Sequence, residues 1–149
     1  MEGVNTMNEH TLKLLEERNA GCKMAVDSMD QALGYTKDEN LKTLLQLYKE
    51  KHERLEEETS ELLHEAGHEE KEPGIMASAF AWITAETKLM WDDDNNQIAK
   101  LMMNGANMGI QSVTEYRHKY HEADDKVQSI AKKLVRVEEE FLQELKRFL

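Results

Sequence analysis

Apolar side chains recur along most of this chain in steps of three and four, the spacing that gathers them on one stripe of an α-helix. The first stripe, Leu12, Leu15, Asn19, Cys22, Val26, Met29 and Leu33, predicts a helix over 12–33. The second, Leu41, Leu45, Tyr48, His52, Leu55, Thr59, Leu62 and Ala66, predicts one from near Lys37 to Gly67. Between them Gly34 ends the first helix, and Thr36, three residues before Glu39, has the form of a capping box. A third stripe of Ile98, Met102, Gly105, Gly109, Val113, Tyr116 and Tyr120 follows the acidic triplet Asp92-Asp-Asp94. After a turn at 121–124, the fourth carries Val127, Ile130, Leu134, Val137, Phe141, Leu145 and Phe148.

The charged stretch 69–74 holds the only proline, Pro73, and reads as a break. Beyond it Met76, Phe80, Ile83, Thr87 and Met90, flanked by Ala79, Trp82 and Leu89, predict a short helix over 75–91. About 16 helical residues span about 24 Å, enough to carry the chain back along a bundle. The expected fold is therefore a single all-α domain over 1–149: an antiparallel, ferritin-like four-helix bundle of two hairpins with a short extra helix in the crossover. The other reading makes 75–91 a kinked extension of the third long helix.

Equal rise in antiparallel helices pairs residues whose numbers add to a constant. A first hairpin turning near residue 35 gives about 71, pairing Val26 with Leu45 and Asn19 with His52, and setting Cys22 beside Tyr48. The second gives about 246, pairing Gly105 with Phe141, Gly109 with Val137 and Tyr116 with Ile130. Asn19, Cys22, Tyr48 and His52 thus form an expected buried polar layer, which serves either to fix the helix register or to hold a metal or small ligand. His52 is the weak metal candidate within it. Gly105 and Gly109 serve either close helix packing or a ligand notch.

Composition narrows the classes. With 33% charged residues, 6% aromatic and one proline in 149 residues, the chain suits long amphipathic helices and not sheets. A formal charge of -11 repels phosphate backbones and anionic lipid surfaces, so neither nucleic acid nor membrane is an expected partner. A single cysteine cannot close an internal disulfide, and the first ten residues lack a signal-peptide pattern, so a cytoplasmic location is expected.

A dinuclear carboxylate site of the bundle type needs inward Glu-x-x-His pairs. Three such pairs exist, Glu61/His64, Glu65/His68 and Glu115/His118, but helical phase turns all three outward. In the fourth helix Phe141 stands where a histidine would follow Glu138. No cofactor is therefore expected, a divalent metal ion being the alternative, and an enzymatic role is disfavoured. The acidic face of Glu56, Glu57, Glu58 and Glu61 reads as a solvated surface. The apolar breadth of 75–91 suggests that Phe80, Trp82 and Leu89 bury a homodimer interface. The leading expectation is thus a non-enzymatic bundle acting through protein association; the alternative is a protein that binds a metal or small ligand through the buried polar layer.

The residues Leu14-Leu-Glu16 through Gly21, Tyr48 with the charged run after it, the segment around Trp82, and Gly105 to Tyr116 resemble a bacterial family of ferritin-like four-helix proteins described only as a domain of unknown function. The resemblance spans nearly the whole chain. It implies a ferritin-like bundle, dimeric, with a metal or stress link in some relatives. Family acids fall near Ala20, Cys22, Ala106 and Asn107, and a family arginine near His52; this sequence departs at each.

Overall fold

The computed structural model describes residues 8–69 and 95–149. Four long helices make up nearly all of them: α1 (Glu9–Tyr35), α2 (Glu39–Glu65), α3 (Asn95–Lys119) and α4 (Asp125–Leu145), the last continued by a 3-10 turn, Lys146–Phe148. No strand occurs among the described residues. The expected helix over 75–91, with Phe80, Trp82 and Leu89, lies outside them.

Helices α1, α2 and α4 each begin where a short polar side chain satisfies a free amide of the first turn. Asn8 accepts from Thr11 N at 2.8 Å, Asp38 from Leu41 N at 2.9 Å and Asp124 from Val127 N at 3.1 Å. The cap of α2 is therefore Asp38, not Thr36; Thr36 follows the end of α1 and donates its hydroxyl to Ala32 O at 2.7 Å. At the other end of α2, Gly67 takes a φ of 75° while His68 N reaches Leu63 O and Gly67 N reaches His64 O. This is the paired hydrogen bonding of a Schellman stop, for which a residue without Cβ is favoured.

The helices form two hairpins, α1/α2 and α3/α4, packed side by side. One apolar cluster joins Met29, Ala32, Leu41 and Leu44 near the α1/α2 turn to Ile98, Ala99 and Met102 at the start of α3 and to Phe141 and Leu145 late in α4. A second joins Leu14 and Leu15 early in α1 to Leu55 and Leu63 in α2 and to Val113, Val127 and Leu134 of the other hairpin. It follows that α3 starts beside the α1/α2 turn and ends beside the start of α1, so α2 and α3 run the same way. The hairpins are joined from opposite ends of the bundle. At the far end the start of α1 is tied to the α3/α4 turn: Asn8 Nδ2 donates to Glu122 O, Glu122 N to His10 Nδ1 and Asp124 N to Thr11 Oγ1.

The α3/α4 register falls close to the expected one, with Arg117 Nε donating to Gln128 Oε1 and Gly109 lying against Glu138. The α1/α2 register does not: Asn19 meets Thr59 and Ser60, so paired numbers add to about 78 and not 71. Two causes add up. The turn is centred near residue 37, and side chains lean toward the start of their own helix, away from the turn on α1 and toward it on α2, so each α1 residue meets an α2 residue further along the chain. Val26, expected opposite Leu45 in the core, is only half-buried.

Asp38→Ala is expected to lower stability by about 1 kcal/mol, read by urea denaturation, and an unchanged midpoint would contradict the cap assignment.

Candidate functional site

Between the two apolar clusters the bundle contains a charged centre. His52 of α2 is fully buried, Glu138 of α4 is 6% exposed and Arg18 of α1 only 2%. Apolar interiors penalise ionised groups by several kcal/mol each unless they are paired and hydrogen-bonded, so each of the three needs a physical account.

His52 and Glu138 satisfy one another. Nδ1 of His52 lies 2.7 Å from Tyr48 O, one turn earlier on the same helix. A carbonyl only accepts, so Nδ1 carries a proton. Nε2 lies 2.6 Å from Glu138 Oε1, a charge-assisted contact across the α2/α4 interface. Burial is the largest single influence on the imidazole and pulls its pKa down. The Glu138 hydrogen bond and charge, with the Tyr48 carbonyl, outweigh it and hold His52 above its ordinary value. The centre is thus an imidazolium–carboxylate pair. Its room comes from Gly109: a Cβ there would stand 2.5 Å from Glu138 Oε2.

Arg18 is not satisfied in this way. Its guanidinium carbon sits 5.5 Å from the centre of the Tyr116 ring. Nε and Nη2 are sealed from solvent with no hydrogen-bond partner. Burial pulls the Arg18 pKa down, opposed in part by Glu17, Tyr116 and Glu138, yet a guanidinium stays charged inside proteins. Cys22, one turn along α1, supplies no compensating charge, because burial pushes its thiol up to about 12. That same shift makes it a poor nucleophile.

All three charged residues line one cavity of about 150 Å³ between the hairpins. Gly21, Ala25 and Ser28 of α1 face it from one side and Gly105, Ala106, Gly109 and Ser112 of α3 from the other. Met29, Met102, Leu134 and Phe141 supply apolar walls. Small side chains on both facing helices leave this volume unfilled. Gly105 and Gly109 border the cavity; Phe141, the expected partner of Gly105, lines it too, whereas Gly109, expected opposite Val137, meets Glu138.

The four candidates of the polar layer are buried but serve different neighbours. Asn19 Nδ2 donates to Thr59 Oγ1 at 3.0 Å and Ser60 Oγ at 2.8 Å and not to His52. Cys22 belongs to the second apolar cluster, whereas Tyr48 belongs to the first and stacks on Phe141 with ring centres 4.8 Å apart. Only His52 faces the cavity. Both its nitrogens are engaged, so neither offers a free lone pair to a metal, and Arg18 adds positive charge nearby. No group of three or more His, Cys, Asp or Glu side chains suited to a metal ion occurs among the described residues. His64 and His118 are exposed, as their helical phase requires, and His68 is exposed beyond the end of α2. On the acidic face, Glu58 pairs with Lys133 of α4.

Glu138 and Arg18 are the residues that stripe reading misses. A strict alternation was available in α4, running Val127, Ala131, Leu134, Glu138, Phe141 and Leu145, all buried; choosing Val137 over Glu138 hid the acid. In α1 the buried set includes Leu14, Leu15, Arg18 and Cys22, a stripe that admits Arg18 directly.

Comparison with protein-family models, with curated proteins and with solved structures finds no match.

A folded-state His52 pKa above the unfolded value, about 6.5, means that its stabilisation is complete below that pH and is lost as pH rises through the folded value. Proton NMR should place the His52 titration above the ordinary midpoint and Glu138→Gln should lower it; a midpoint unmoved by the substitution would refute the pair. Gly109→Ala should destabilise the protein even though alanine favours a helix by about 1 kcal/mol. That penalty should shrink in a Glu138→Ala background, where the obstructed carboxylate is gone, and a double-mutant cycle by chemical denaturation measures the coupling.

Proposed function

We propose that this chain is a ferritin-like bundle that binds a small, mostly apolar molecule between its two hairpins and holds it without chemical turnover. The observation that carries this reading is the cavity of about 150 Å³ bordered by all four described helices. An engineered cavity of about that volume with aliphatic and aromatic walls takes up benzene. Here the walls are side chains of Met29, Met102, Leu134 and Phe141, with polar groups confined to a few positions, the usual composition of a small-molecule site.

The ferritin-like part of the reading draws on the connection of the hairpins from opposite ends, which distinguishes a crossover bundle from a simple up-down one. A metal-binding role is less favoured, because an ion would have to break the His52–Glu138 contact beside a buried cation. Association through Phe80, Trp82 and Leu89 rests on residues outside those described. Among the described residues the exposed large apolar side chains, Leu47, Met108 and Leu149, are scattered on α2, α3 and the C-terminus and form no patch. No described helix is long and apolar enough to cross a membrane.

Ala106, buried on α3 beside the cavity, gives the test. Benzene or benzyl alcohol should perturb the methyl NMR signals of Met29 and Met102 in the wild type. Ala106→Leu should fill the space and abolish that response while the protein stays folded. No response in the wild type at millimolar ligand would overturn the reading.

A further inference from the structure

The geometry points to a small monocarboxylate as the ligand, with its anionic head on Arg18 and a compact apolar body in the rest of the cavity. This deepens the ligand-binding reading above and rests on it.

The argument starts from charge. The His52–Glu138 pair is neutral as a unit, since the imidazolium and carboxylate compensate each other at 2.6 Å. Cys22 keeps its proton. Glu17 lends Arg18 some support from the preceding position, and Tyr116 offers a ring face, but neither gives Nε or Nη2 an acceptor. The cavity therefore carries one buried positive charge with two donors, Nε and Nη2, unused. A ligand of charge -1 completes it; a cation does not.

The shape of the unmet need selects the head group. Nε and Nη2 lie along one edge of the guanidinium, and two parallel N–H donors on that edge match the two oxygens of a carboxylate. Both nitrogens are sealed from solvent, so meeting them takes a rotation of the long Arg18 side chain toward the cavity it already lines. Gly21 permits this, because even a Cβ there would sit 3.6 Å from Nη1, an ordinary contact. A dianion such as phosphate fits less well: Glu138 borders the same space, and apart from His52, Ser28 and Ser112 the remaining walls are apolar.

Volume sets the size of the body. Space of about 150 Å³, the scale that holds benzene, suits one aromatic ring or a short aliphatic chain, so benzoate and hexanoate are the appropriate probes. Their neutral counterparts, benzyl alcohol and hexanol, have similar bodies and no charge.

Titration calorimetry on the full chain tests the assignment. Benzoate or hexanoate should bind at least about tenfold more tightly than the matching alcohol, and Arg18→Met should erase that preference. Equal affinity for acid and alcohol, unchanged in Arg18→Met, would overturn the carboxylate assignment and leave the cavity reading standing. Binding of neither would overturn both. Inorganic phosphate binding as tightly as benzoate would overturn the apolar-body part of the assignment. Should Arg18→Met fail to fold, nitrogen-15 NMR of the wild type decides: benzoate should shift the Arg18 Nε–H signal strongly downfield, and an unmoved signal at saturation overturns the proposal.

Discussion

The contact between His52 and Glu138 is the constraint around which the described bundle is arranged. A glutamate cannot lie in an apolar interior without a partner, and here its partner belongs to the other hairpin. Apolar clusters on either side tolerate sliding, because one leucine replaces another at modest cost. A short, directional contact at 2.6 Å does not tolerate it. Its two supports are equally local: Tyr48 O orients the ring, and the missing side chain of Gly109 leaves room for the acid. The rim pairs Lys51–Glu140 and Lys133–Glu58 cross the same α2/α4 interface but are exposed, where ion pairs add at most about 1 kcal/mol.

The same contact shapes the cavity on its other flank. Glu138 itself borders the space and lies against Gly109 of α3, and the small residues of α1 and α3 do not fill the gap beside it. Arg18 enters this space as a charge that the protein stabilises only incompletely. Buried polar groups are nearly always hydrogen-bonded, so an unsatisfied one calls for an explanation, and perturbed buried charges cluster at functional sites. The centre therefore has two halves: one self-satisfied pair that fixes the packing and one unsatisfied cation that faces an open volume.

Much of the fold was legible because helical periodicity is a local property. Four stripes in steps of three and four placed the long helices within a few residues, and the outward phase of His64 and His118 followed from the same arithmetic. The α3/α4 register was also accessible, because its expected constant of about 246 already exceeds twice the turn centre near residue 122, in the direction in which side chains lean. The α1/α2 register was not, because its expected constant of about 71 falls below twice the turn centre near residue 37, and the lean of side chains along antiparallel helices adds to the difference. That difference separated Asn19 from His52. The charged centre was hidden for a different reason: Arg18 and Glu138 occupy stripe positions, but a search for apolar side chains discards them in favour of Val137 and similar neighbours. Charged residues at core phase are the signal, and they are recognisable only once the stripe is drawn without regard to polarity.

The small cluster at the far end of the bundle carries its own consequence. Asn8, His10 and Thr11 hold backbone groups of Glu122 and Asp124, residues more than a hundred positions away. Each hairpin closes a short loop and can gather its contacts locally, whereas these three hydrogen bonds close nearly the whole chain. Loop-closure entropy rises only slowly with length, so the cost of that closure is shared with all the contacts between hairpins. Asn8 and the opening residues of α1 thus act as a clasp between two locally organised halves.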